Sequence, residues 1–175
     1  MSHDRITVLE NGQPLSFDVA MLMAYHGGGF PGGVVHGLKA MQAGFAALGT
    51  GPLPRRDIHV LTAFAGPGGR DAVECVTRAL TDGRYQVDRS LGGKDVISEP
   101  PGPYLWRFTL SDTTVEVTIR PGHVLPEFVS LGAMKERSTA QDARLEHLKH
   151  EMAQRLLPLR AYEIYQTRRL QARRS

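Results

Sequence analysis

Apolar positions recur at spacings of four, three, four and three through Val34, Leu38, Met41, Phe45 and Leu48. This is the stripe of an amphipathic helix ending near Leu48-Gly49. Gly37, Ala40, Gly44 and Ala47 form a second, small-residue face on which another helix or strand can lie close, so the helix is expected to be sandwiched. Ile6, Val8 and Leu9 before Asn11-Gly12 predict a short extended lead-in closed by a turn. Ser16, followed by Phe17, Ala20, Met21 and Ala24, reads as the cap and apolar side of a short helix. Beyond the central helix, Thr50 to Pro54 reads as a loop. Asp57 to Ala65 is apolar on both alternating faces, as a strand covered on both sides would be, with His59 as a core residue. Val73, Val76 and Leu80 mark another helix, and Tyr85 and Val87 a short strand. Leu91 to Pro103 carries the Gly and Pro of a mobile connection. Strict alternation from Tyr104 to Leu110 and from Val115 to Ile119 predicts a hairpin about Ser111-Asp112-Thr113. Leu145, Leu148, Met152 and Leu156 predict a long helix running from Ser138 to Pro158, with His147 and His150 on its solvated side. Tyr162, Ile164 and Tyr165 then read as a docked segment, and Arg168 onward as a basic, frayed end.

Together these elements predict an α+β fold: a mixed, mostly antiparallel sheet of about four strands packed against helices. Residues 1–135 are expected to form the α+β domain and 136–175 a C-terminal helical extension with a basic tail. The formal charge of +3 sits in that tail, where six Arg face Glu151 and Glu163 after residue 150. Without an aromatic-studded basic strand beside them, these Arg do not predict a nucleic-acid partner. No apolar run approaches the roughly 18 residues of a membrane span. Asp4, Arg5 and Glu10 stand where a signal peptide would be apolar, so a cytoplasmic protein without a membrane partner is expected. Cys75 is the single cysteine, which excludes an intrachain disulfide and a Cys-based zinc ribbon. It reads as a small core residue rather than a nucleophile.

Candidate chemistry gathers on two Gly-rich stretches. The first, Tyr25-His26-Gly27-Gly28-Gly29-Phe30-Pro31-Gly32-Gly33-Val34-Val35-His36, brackets a conformationally free backbone with two histidines. His26 at a helix end reads either as a pocket residue or as a cation favouring the helix dipole. The second, Gly66-Pro67-Gly68-Gly69-Arg70-Asp71, joins a strand to a helix. It reads either as a tight turn or as an anion site built from free N–H groups and Arg70. Asp71 and Glu74 have the spacing of a capping box. A ligand pocket at His26, Gly27, Gly28, Phe30, His36, Gly68, Gly69 and Arg70 follows. The alternative is a metal-dependent enzyme in which His26 and His36, with His59 or His123 and a carboxylate such as Asp71, hold zinc, nickel or iron.

The element order and the first loop resemble the FmdE family of formylmethanofuran dehydrogenase subunits. That family carries F-H-G-H-x-C-P-G ahead of its long helix, where this chain has Tyr25 through Gly32, keeping His26 and Pro31-Gly32. The family's second His is Gly28 here, and its Cys is Phe30. A second family segment corresponds to Ala65 through Glu74, where Asp71-Ala72 match and the Cys place falls near Gly68. The resemblance implies the fold that this family shares with the catalytic domain of glyceraldehyde phosphate dehydrogenase. It also implies a homodimer, a link to one-carbon (formyl or pterin-type) metabolism and to a larger one-carbon enzyme complex, and a small-molecule or anion-binding protein lacking the family's Cys metal site. The small-residue helix face and the long C-terminal apolar stripe point to the same dimer.

Overall fold

Asn11 and Gly12 both take positive φ, 51° and 77°, as a two-residue hairpin turn demands. They join β1 (Arg5–Glu10) to β2 (Gln13–Asp18). Ser16 lies inside β2, its hydroxyl 2.8 Å from that of Thr7 across the hairpin. The cap expected of Ser16 therefore belongs to Asp18, which accepts from the Met21 N–H at 2.9 Å and opens α1 (Val19–His26). Next comes α2 (Pro31–Leu48), whose first position suits Pro because that N–H has no helical partner anyway. β3 (Leu53–Pro54) pairs parallel with β1, so part of the expected 50–54 loop completes a three-stranded sheet.

The chain continues through β4 (His59–Thr62), α3 (Pro67–Thr77) and β5 (Tyr85–Val87). The ribbon β6 (Ser98–Glu99) with β7 (Gly102–Pro103) precedes the hairpin β8 (Leu105–Leu110) and β9 (Thr113–Ile119). Then follow α4 (Pro126–Ala133), α5 (Thr139–Leu156), α6 (Ala161–Ile164) and β10 (Tyr165–Leu170). This computed structural model describes residues 3–92, 98, 99 and 102–171, so much of the predicted connection at 91–103 lies outside them. The main sheet runs β10-β9-β8-β4-β5, antiparallel except where β4 meets β5. The architecture is α+β, with five strands in the main sheet rather than four.

Val60, Thr62, Trp106, Phe108, Val115 and Val117 are buried on the face that packs against α2. The opposite face is polar. Arg107, Glu116 and Arg168 sit opposite one another on β8, β9 and β10, and the Glu116 carboxylate takes both guanidiniums at 2.8 and 2.7 Å. Hence β4 is covered on one side, and His59 is exposed rather than part of the core. The expected basic end is also corrected. Arg168 and Arg169 lie in β10, and Arg169 donates to the Ala47 carbonyl at 2.8 and 3.1 Å, capping the C-terminal end of α2.

Nearly every side of α2 is covered, Ala46 being its exposed residue. The predicted small-residue face is what allows this. A Cβ on Gly44 would strike the Phe108 ring, and one on Gly37 would come within 2.9 Å of the Ala72 Cβ on α3. On α5, which begins with a reciprocal capping box between Ser138 and Gln141, Leu145, Leu148, Met152 and Leu156 are buried in this chain's own interior. Both features offered in support of a dimer are thus satisfied within one chain. Even Lys39 is inside. Its Nζ donates to the carbonyls of His3, Leu157 and Leu159 at 2.7, 2.8 and 2.5 Å, and burial lowers its pKa to about 8. Among the described residues no helix is long and apolar enough to cross a membrane.

Replacing Gly by Ala inside an open helix gains roughly 1 kcal/mol, whereas overpacking a core costs about 1–3 kcal/mol. At Gly44 the second term should win. Gly44→Ala is expected to lower the urea midpoint, and Phe108→Leu in the same chain should recover part of the loss; additive losses would show that the ring is not the obstacle.

Candidate functional site

Proline at the first position of α2 and of α3 starts both helices abruptly, and the two starts meet. A Cβ on Gly68 would lie 2.5 Å from the Phe30 carbonyl oxygen and 2.8 Å from the Val34 nitrogen, while Gly33 faces the Gly68 Cα. Gly32 packs against Met152 of α5 in the same way. In the sequence these glycines read as loop backbone. They belong to helical first turns, and the approach of three helices requires them. Beside this junction opens a cleft of about 310 Å³. Phe64 and Tyr104 line it and are themselves buried, with centroids 4.9 Å apart. Phe30, Gly32, Gly33, Gly66, Pro67 and Gly68 contribute one wall; Phe128 and Gly132 of α4 with Leu145, Lys149 and Met152 of α5 contribute the other. Arg137, from the link between α4 and α5, completes it.

The cleft takes Phe30 and Gly68 from the predicted pocket, and the remaining predicted residues do other work. His26 accepts the Phe30 N–H on Nε2 at 3.0 Å, which leaves Nδ1–H to donate to the Asp71 carboxylate at 2.8 Å. The Asp71 carboxylate also accepts from Arg70 at 2.9 Å. Burial opposes ionisation of Asp71, but the hydrogen bonds from His26 and Arg70 outweigh it and hold the carboxyl below its usual range. Asp71 is therefore no capping residue. It lies beyond the first turn of α3, whose N-cap is Gly66. Glu74, the other half of the supposed box, serves the opposite end, accepting from the Leu80 N–H at 2.7 Å. Gly27 and Gly28 take φ of 81° and 87°, closing α1 and turning the chain toward Phe30. Gly69 is wedged against Phe64.

His36 is wholly buried behind the cleft floor, 4.7 Å from the Tyr104 ring, with Nδ1 2.7 Å from the Tyr165 hydroxyl. Burial, helped by His123, lowers its pKa to about 3, while burial also raises the Tyr165 hydroxyl. These placements give no support to the metal reading of His26 and His36. Both nitrogens of His26 are engaged, His36 is sealed among rings, His59 is exposed on the outer sheet face, and His123 meets the Glu163 carbonyl at 2.9 Å. Among the described residues no group of three His, Cys, Asp or Glu side chains could hold a metal ion. Cys75 is half-buried in α3, and burial raises its thiol pKa, away from nucleophilic reactivity.

Sequence reasoning missed the second wall. Lys149 stands on the polar side of α5, where it reads as solvated, yet its side chain is 13% exposed and its Nζ lies 4.3 Å from the Phe30 ring centroid. The Leu145 and Met152 stripe was legible, though as core. No protein-family model matches the chain, and no curated protein matches it at a significant level.

His36 yields a pH dependence of known sign. An unfolded chain protonates this imidazole near its ordinary value of 6.5, whereas the folded chain keeps it neutral down to about 3. The unfolded state therefore binds the extra proton, and stability should fall as pH drops through this window, with a limiting slope of about 1.4 kcal/mol per pH unit from this residue. His36→Gln, less stable at pH 7, should show a flatter decline between pH 7 and 5 in denaturant titrations. Parallel declines would place the proton uptake elsewhere.

Proposed function

We propose that this chain is a small-molecule-binding protein of the FmdE kind, acting without that family's thiolate metal site. The observation that carries the binding reading is the cleft. Its volume lies at the lower end of the range of ligand pockets, and its lining is apolar and aromatic with two cationic side chains. Its floor is held rigid, because Phe64 and Tyr104 are backed by Trp106 and His36 at centroid distances of 4.9 and 4.7 Å. A preorganised floor reduces the ordering cost of binding. The link to one-carbon chemistry, the homodimer and docking in a larger complex rest on the sequence resemblance.

Gly132 offers a clean test. It lines the cleft, and a Cβ there meets open space, so Gly132→Leu should fill the site while leaving the thermal midpoint unchanged or slightly raised by better helix propensity. A library of small apolar and aromatic compounds should shift the Gly33 and Gly68 amide resonances of wild type and leave those of Gly132→Leu unmoved. A wild-type protein that responds to none of them has no functional cleft here.

A further inference from the structure

Resting on the cleft reading above, we infer that its ligand is a compact monoanion: a carboxylate carried on an aromatic or short apolar body. The charge distribution supports this. Among the described residues lining the cleft, the charged side chains are the two cations Lys149 and Arg137, and no Asp or Glu is among them. Both cations are half-committed. Lys149 Nζ meets Glu146 at 2.5 Å, leaving donors of its ammonium unused. Arg137 meets Asp142 at 2.7 Å and donates to the carbonyls of Leu131 and Met134. Those two carboxylates offset much of the positive charge from outside the cleft. A dianionic phosphate needs more charge and more donors than remain, whereas one carboxylate is matched by the free donors of Lys149.

Geometry fixes where the acid group goes. Lys149 Nζ lies over the ring of Phe30, which also lines the cleft. A carboxylate paired with Lys149 would leave its apolar body to run inward over Phe64 and Tyr104. A neutral or cationic ligand of the same shape would fill the apolar part and leave the ammonium without an added partner.

Isothermal titration on the full chain, with phenylacetate, 2-phenylethanol, phenethylamine and phenyl phosphate as probes, tests the charge. Phenylacetate should bind at least about tenfold more tightly than 2-phenylethanol, and the gap should narrow between 50 and 500 mM salt. Lys149→Met should abolish the gap, bringing phenylacetate affinity down to that of 2-phenylethanol measured on the same variant. Wild-type salt dependence gives the same information should that variant fold poorly. Equal binding of acid and alcohol, or tighter binding of phenyl phosphate or phenethylamine, would overturn the monoanion assignment and leave the cleft reading standing. Absence of heat with all four, together with unmoved Gly33 and Gly68 resonances in the library screen, would overturn both.

Discussion

A central helix with almost no solvent face is the constraint from which the rest of the structure follows. Because α2 is packed by the main sheet, α3 and α5 at once, each neighbour must approach within the reach of a backbone, and the helix meets them with Gly37 and Gly44 where a methyl group would collide. The same enclosure governs its polar residues. An ammonium removed from water without partners costs several kcal/mol, so Lys39 is tolerated because three carbonyl oxygens converge on it. His36 is tolerated by remaining neutral.

Three arginines extend this logic to the helix ends. Arg55 donates to the Val76 and Cys75 carbonyls at the end of α3, Arg84 to that of Thr77, and Arg169 to that of Ala47 at the end of α2. Each neutralises carbonyl groups that lack partners inside their own helix. Of the three, only Arg169 was read from the sequence, as part of a basic, frayed end. Their partners lie 21, 20, 7 and 122 positions away, and no local pattern encodes such pairings.

What was legible is what repeats at short range. The stripe on α2, the alternation in β8 and β9 and the start of α5 at Ser138 are all short-range patterns, and each stands where its pattern puts it. Failures came where a local pattern has two solutions. His59 to Thr62 is equally apolar whether one or two faces of a strand are covered, and Arg168-Arg169 looks like a frayed end whether or not β9 offers it a partner. The site shows the same division. Its Phe30 and Gly68 side was visible in the glycine pattern, while Phe128, Arg137 and Lys149 were not, because only folding brings α4 and α5 against the starts of α2 and α3. The two loop histidines, suggestive as ligands, became a bracket to Asp71 and a buried aromatic neighbour.

The closing contacts of α2 have a consequence for how the protein is made. Tyr165, Leu157, Leu159 and Arg169 all reach back to a helix that ends at Leu48. During synthesis that helix emerges with its last covers still more than a hundred residues from being translated. Long-range closure of this kind slows folding, and exposed apolar surface in the interval invites association with other chains. In the nascent chain the cover of α2 is complete only once β10 has paired with β9.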